Sequence, residues 1–303
     1  MATTFSINPV PVQAIAAAWI PVDIRVSVLR TDLVDPQLSG NKWFKLLPNL
    51  ALAREQGRTT LLSFGGPWSN HLHALACAGK RYGFATHGII RGDADQPLTP
   101  CLLDMQAQGM TLQFVSRHAY REFRSPERRA GLQQEFGNCH VIPEGGCNRP
   151  GVLGCQQILP RDLSADVSHI MVACGTGTTM TGLITSTGLP VYGVQALKAD
   201  GYVHAEVTRQ LQEFKLDALS SDWRIYDQYH GGGFARATPA LCQLIREFEH
   251  QTGIALEPVY SGKLVLGLQD LLERKQFAPG SHILLVHGGG LQGRRGFSLL
   301  MQD

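Results

Sequence analysis

Ile170-Met171-Val172-Ala173-Cys174-Gly175-Thr176-Gly177-Thr178-Thr179 is the stretch whose reading decides the fold. Ile170–Ala173 is a short apolar run of strand length, and Thr178–Ser186 behind it reads as a helix. A strand that enters a helix through a glycine turn is the unit of a parallel sheet, because a parallel neighbour is reached only by a crossover. The unit recurs outward in both directions. Toward the N-terminus, strands are expected at Thr60–Phe64, Phe84–Ile90, Thr111–Val115 and Cys139–Ile142, with helices at Trp43–Arg54, Ser69–Tyr82, Thr99–Gln108, Arg128–Phe136 and Gly151–Leu159. Toward the C-terminus, strands follow at Val191–Gln195 and His282–Val286, with helices at Val203–Phe214, Thr238–Gln251 and Gly262–Arg274. The fold class is therefore α/β: two lobes of mostly parallel sheet flanked by helices, with Pro143–Pro150 as the hinge.

Composition narrows the classes of function. The 303 residues carry a net charge of +2 and show no basic run interleaved with aromatics, so no nucleic-acid partner is expected. The apolar runs are too short to span a bilayer, and the N-terminus lacks the pattern of a secretory signal, so no membrane partner is expected. Seven scattered cysteines without a CxxC pair point to a reducing, cytoplasmic setting rather than a disulfide framework.

The chemistry concentrates at chain turns after strands. Cys174–Thr179 exposes successive N–H groups and threonine hydroxyls at the positive end of a helix, which suits a phosphate; an ordinary glycine turn is the alternative. It is neither a Rossmann fingerprint nor a Walker A loop. Lys42 follows the turn formers Gly40 and Asn41 and opens a helix, with Lys45 three residues on as a cation that would disfavour its ammonium. Two solvated lysines on a helix surface fit the same local sequence. Gly65-Gly66-Pro67-Trp68-Ser69-Asn70-His71 also runs from strand to helix, where ligands bind in α/β proteins, although a plain N-cap reads equally well. His71 and His73 point in different directions on a helix, so no metal site is expected there. Tyr260 and the glycine clusters at 231–233 and 288–290 complete the set. A lysine, a phosphate cradle and several glycine turns at strand ends are what a lysine-anchored phosphate cofactor requires.

In this order, SGNKWFKL, GGPWSNH, CGTGTT, PVYSGK and VHGGG resemble the 1-aminocyclopropane-1-carboxylate (ACC) deaminases and D-cysteine desulfhydrases, over about Leu38 to Phe297. These are pyridoxal 5′-phosphate enzymes with the tryptophan-synthase-β-like fold. The resemblance implies that Lys42 carries the cofactor and shuttles protons, and that Asn70 bonds its phenolic oxygen. Gly175, Thr176, Gly177, Thr178 and Thr179 would hold the phosphate, with Tyr260 near the ring and Ser261 facing the pyridine nitrogen. Ser69 and His71 would line the substrate carboxylate pocket, with Trp68 and Phe234 shaping the substrate side; Ser69 and Tyr260 join Lys42 as catalytic residues. The resemblance also implies a large lobe of residues 1–52 and 156–303, a small lobe of residues 53–155, and a homodimer.

Three departures from the family pattern bear on the substrate, and Ser261 leans toward the D-cysteine desulfhydrases, which carry a hydroxyl residue there. ACC deaminases carry a glutamate where this chain has Ser261, and a hydroxyl leaves the ring nitrogen largely neutral. Both activities have a tyrosine where this chain reads Gly233-Phe234, and Trp68 replaces the smaller glutamine of the ACC deaminases. The expected function is that of a lyase: α,β-elimination from a small amino acid to a keto acid and ammonia, as in D-cysteine desulfhydrases. ACC deaminase itself, and a cofactor-binding protein with little catalysis, are the alternatives.

Overall fold

The computed structural model describes residues 7–38, 40–123 and 125–300, so Ser39 of the SGNK stretch lies outside the described residues. Two sheets carry the fold. The first joins β1 (Val12–Ile15), β2 (Arg25–Leu29), β7 (His169–Cys174), β8 (Val191–Gln195), β9 (Trp223–Tyr226) and β10 (His282–Val286) in the order β1-β2-β10-β7-β8-β9. The second joins β3 (Thr60–Gly65), β4 (Ala85–Arg91), β5 (Met110–Val115) and β6 (Cys139–Val141) in the order β5-β4-β3-β6. The pairs are parallel except β1 with β2. The helices are α1 (Asn41–Glu55), α2 (Asn70–Tyr82), α3 (Pro100–Ala107), α4 (Arg117–Glu122), α5 (Pro126–Glu135), α6 (Arg149–Cys155), α7 (Thr178–Ile184), α8 (Tyr202–Phe214), α9 (Pro239–Thr252) and α10 (Ser261–Glu273). Among the described residues, no helix is long and apolar enough to cross a membrane.

Full burial made two of the strands plain in the sequence. β8 and β10 are buried along their whole length, as strands covered by helices on both faces must be, and they appear at the expected bounds. The edge strands β1 and β9 are partly exposed and only four residues long, and the sequence reading missed both, together with β2 and the short polar α4. α6 begins at Arg149, two residues before the expected start, because the Asn148 side chain accepts from Gly151 N at 2.9 Å and Pro150 fits the first turn. It ends at Cys155 rather than Leu159.

Three helices bring the two lysines of α1 up to the CGTGTT turn. Pro48 inside α1 has no N–H, so the Phe44 carbonyl lacks its usual helical partner. Gly154 of α6 packs onto that carbonyl so closely that a Cβ there would fall 1.9 Å from Phe44 O. On the other side of α6, a Cβ on Gly182 of α7 would fall 2.3 Å from Cys155 Cβ. α6 is thus a thin wedge, gripped by glycine on both sides, between the helix carrying Lys42 and the helix that opens at Thr178.

Candidate active site

The C-terminal ends of β7 and β10 open onto a cavity lined by Lys42, Asn70, Gly175, Thr176, Gly177, Thr178, Thr179 and Tyr260, together with Asn41, Lys45 and the Gly288-Gly289 turn. β7 and β10 are parallel neighbours in register at Val286 and Val172, and both residues line the cavity. The site lies where a parallel sheet presents its carboxyl edge.

α7 starts on Gly177, whose φ of 75° is left-handed and whose position offers no side-chain cap. The first-turn N–H groups of a helix have no acceptor within it, so this end is open to an anion. Thr176 and Thr178 hydroxyls lie 3.1 Å apart over the turn, and the turn is held from behind by Gln210, whose Nε2 donates to Thr176 O at 2.8 Å. Gly175 carries no side chain because Tyr260 occupies that space: a Cβ would meet the Tyr260 ring and hydroxyl at 3.2 Å.

Lys42 faces this turn through a relay. Its Nζ donates to Asn41 Oδ1 at 2.6 Å, and Asn41 Nδ2 donates to Thr179 Oγ1 at 2.8 Å. Burial, with the Lys45 cation adding to it, pushes the Lys42 pKa down to about 7, so the amine is substantially unprotonated near neutral pH. Lys45 is itself buried, donates to Gly145 O at 3.1 Å, and has its pKa lowered by burial. Tyr260 has its ring centroid 5.7 Å from Lys42 Nζ, and burial followed by the Glu257 and Glu144 carboxylates drives its hydroxyl pKa well up, so it stays protonated.

Five residues expected at the site are not in the cavity wall. Ser69 caps α2, its Oγ accepting from Leu72 N at 3.2 Å. Trp68 packs on the C-terminal turn, where a Cβ on Gly296 would meet its ring at 3.0 Å. His71 is buried behind the wall, with Nε2 3.0 Å from Ser63 Oγ. Because Ser63 donates its own proton to Ile142 O at 2.7 Å, it accepts from His71 Nε2, which leaves Nδ1 as a bare acceptor without a partner. Burial and the two lysines push the His71 pKa to about 3, so the ring is neutral. Phe234 is 46 % exposed and stands edge-on to Tyr260, with ring centroids 6.0 Å apart. Ser261 Oγ accepts from Glu257 N at 2.8 Å and donates to Glu257 O at 3.1 Å. The Glu257 carboxylate in turn takes the N–H groups of Val259, Tyr260 and Ser261, capping α10.

Three contributors were not singled out from the sequence. Asn41 read as a turn former, yet it joins the amine to the threonine turn. Lys263 is fully buried and donates to Ala196 O at 3.1 Å and Gly233 O at 2.8 Å, tying down the loop that bears Phe234; burial pushes its pKa to about 8. Gln292 donates to Asn70 Oδ1 at 2.8 Å. No local pattern marks such residues, since each acts on a partner more than 29 positions away in the chain.

The Asn41 relay has a testable electrostatic consequence. In Asn41→Asp, an anion beside Lys42 should raise its pKa by at least about one unit. The rate at which cofactor loads onto the cofactor-free protein should then begin to fall at a correspondingly higher pH than in the native chain, where the fall begins below about 7. A pH–rate profile identical to the native one would exclude the side-chain hydrogen bond between Lys42 Nζ and position 41.

An uncapped helix start, a deprotonatable half-buried amine bonded toward it, and a protonated phenol in one cavity fit pyridoxal phosphate. Comparison with known proteins agrees. Residues 30–289 match the family model of the pyridoxal-phosphate dependent enzymes. The chain is 29 % identical to the bifunctional D-cysteine desulfhydrase/ACC deaminase of Arabidopsis thaliana, over 96 % of this chain and 79 % of that protein. It is 28 % identical to a putative ACC deaminase of Thermotoga maritima, over 97 % of both chains. A crystal structure of an ACC deaminase homologue superposes with a TM-score of 0.83 at 25 % identity, covering 96 % of this chain and 93 % of the other. With the family model spanning most of its length and the cavity fitted to the cofactor, this chain belongs to the pyridoxal-phosphate dependent enzymes.

Proposed function

We propose that the protein is a lyase that eliminates a leaving group from Cβ of a small amino acid, D-cysteine or a relative, giving a keto acid and ammonia. The observation that carries this is the Lys42 amine, lowered to a pKa of about 7 and joined through Asn41 to the Thr179 turn. When bound, pyridoxal phosphate supplies the electron sink for the bonds at the substrate Cα.

The chain's own residues divide the remaining work. Lys42 would hold the cofactor through its amine and, with substrate bound, would be the base that takes the Cα proton. The Gly175–Thr179 turn grips the phosphate and so orients the reacting bonds. Asn70 would donate to the phenolic oxygen of the bound cofactor, and Tyr260, kept protonated, is a proton donor beside Lys42. Ser69 uses its oxygen as the α2 cap, which leaves its O–H to donate to a substrate carboxylate. His71, with its donor committed to Ser63, supports that pocket from behind. Ser261 stands at the pyridine-nitrogen side, and the nearby Glu257 carboxylate is consumed by three backbone N–H groups. With no free carboxylate there, Ser261 and Glu257 would give little stabilisation to a protonated ring nitrogen when the cofactor is bound, which would favour elimination over the more demanding opening of ACC. Phe234 and Trp68 narrow the substrate side.

The proposal includes a large lobe of residues 1–52 and 156–303, a small lobe of residues 53–155, and a cytoplasmic homodimer. The seven free thiols support a reducing compartment. The test is a panel of D- and L-amino acids with ACC, read as keto-acid formation. Turnover of D-cysteine or a β-substituted relative is the expected result. Release of ammonia from ACC alone would favour ACC deaminase, and no turnover across the panel would overturn the lyase reading.

A further inference from the structure

Gly288 and Gly289 of the turn after β10 line the cavity, yet the glycines do not fix the turn's shape, because glycine takes left- and right-handed backbone alike. Gly289 and Gly290 adopt left-handed φ values of 67° and 83°. What holds the turn is the residue before it. His287 is buried, and each of its polar atoms has a partner. Its N–H donates to Leu29 O at 3.1 Å, and its carbonyl accepts from the Thr31 hydroxyl. Its ring Nε2 lies 2.8 Å from Ala255 O, and its Nδ1 lies 3.1 Å from Gly289 N. Neither ring partner can change role, since a carbonyl only accepts and a peptide N–H only donates. The ring hydrogen therefore sits on Nε2, and the Nδ1 lone pair receives the Gly289 N–H. The Asp32 carboxylate stands 3.6 Å from Nδ1, too far for a hydrogen bond, and is taken up by Arg30 at 2.7 Å.

We infer that His287 is a positioning residue: its ring holds the Gly288–Gly289 peptide in the orientation that seats the start of α1, and with it Lys42, at the cavity. The contacts run without a break from the ring to the amine. The Gly288–Gly289 peptide is pressed against Gly40, where a Cβ would fall 2.0 Å from Gly288 O and 2.7 Å from Gly289 N. Gly40 N donates to Thr31 O at 2.9 Å, so Thr31 grips Gly40 through its carbonyl and His287 through its hydroxyl. Gly288 also faces the Asn41 amide, 4.0 Å from where its Cβ would be, and that amide accepts from Lys42 Nζ. Without the ring acceptor, the Gly289 N–H loses its partner and the glycines leave the peptide free to turn over. The Gly288 oxygen would then leave Gly40, and the seat of α1 would loosen. The inference rests on the reading that Lys42 holds the cofactor, and it adds what holds Lys42 in place.

Asparagine and glutamine each keep one half of the ring. In His287→Asn the amide oxygen stands near the place of Nδ1 and can take the N–H two residues on, as in an Asx turn. In His287→Gln the amide nitrogen stands near the place of Nε2 and can keep the link to Ala255 O. Mixed with pyridoxal phosphate at neutral pH, cofactor-free His287→Gln should gain its visible absorbance about ten-fold more slowly than His287→Asn, whichever of the two melts higher. Equal rates, or the reverse order, would overturn the inference, because a merely structural histidine gives the acceptor half no precedence. Gly40→Ala displaces the turn from α1 with the ring intact, and it decides the matter if the His287 variants do not fold. Slow loading is expected there, and native loading would overturn the inference. In the native protein, nitrogen NMR of the histidine rings should find the His287 hydrogen on Nε2, and a hydrogen on Nδ1 would overturn it as well. A native spectrum in Lys42→Ala would sink the anchor reading and this inference together. Lost absorbance in Lys42→Ala beside equal rates in the two His287 variants would sink the inference alone.

Discussion

Lys42→Ala is expected to abolish the visible absorbance of the loaded protein and to lower keto-acid formation by about 10²–10⁴-fold or more, the range lost with a positioned proton-transfer group. Both losses follow from one nitrogen, since the same amine is proposed to hold the cofactor and to take the Cα proton. The phosphate turn is untouched by this substitution, so weakened retention of the cofactor, without its covalent signature, is the expected residue of binding. Lys45→Met provides the contrast. It removes the cation that adds to burial in lowering the Lys42 pKa, so that pKa should move up from about 7 toward the ordinary lysine value. The absorbance should persist in Lys45→Met, while cofactor loading at neutral pH slows, because less of the amine is unprotonated. Absorbance spectra of both variants with their loading rates against pH decide the matter. A Lys42→Ala protein with the native spectrum would end the assignment.

The second large effect is mechanical. Gly154→Ala places a methyl group where Phe44 O already stands, 1.9 Å from the new Cβ. The backbone of α1 or α6 must move, and overpacking of this kind costs about 1–3 kcal/mol. At about 1.6 °C per kcal/mol, from an unfolding entropy of about 2.1 cal/mol/K per residue, the melting temperature should drop by a few degrees. The more specific consequence is at the site. α1 carries Asn41 and Lys42, so a shift of α1 away from α6 lengthens the link from Asn41 to Thr179. Cofactor affinity should therefore fall together with stability, although Gly154 is not itself part of the cavity wall. Gly57→Ala supplies the control, since that position has a left-handed φ of 65° with nothing within 4 Å of the added carbon. It should cost some backbone strain and leave affinity for the cofactor unchanged. Thermal melts and cofactor titrations of the two variants measure both quantities. Equal cofactor affinity in Gly154→Ala and the native protein would show that α6 does not set the position of α1.

Particular residues show what could be read in advance. Ile170–Ala173 and Ile283–Val286 are continuous apolar runs because helices cover both faces of β7 and β10, and that pattern survives in the letters alone. The edge strand Val12–Ile15 alternates between exposed and half-buried, and over four residues such alternation cannot be told from a loop. The same division holds at the site. The turn Cys174–Thr179 announces itself because glycine and threonine between a strand and a helix have a local meaning. Asn41 and Gln292 carry no such mark, for what each does depends on a partner 138 and 222 positions away.

By itself, then, the order of residues determined the alternation of strands and helices, the turn suited to a phosphate, and the lysine at the start of α1. These are properties of neighbours in the chain, set by backbone period, turn chemistry and helix polarity. Only the tertiary structure decided that Lys42 is half-buried beside Lys45, that Asn41 ties it to Thr179, and that Ser261 and Glu257 spend their polar atoms on each other and on the α10 cap. Burial and long-range hydrogen bonds arise when distant segments pack, and a pKa or an amide's orientation belongs to that packing and has no counterpart in the unfolded chain.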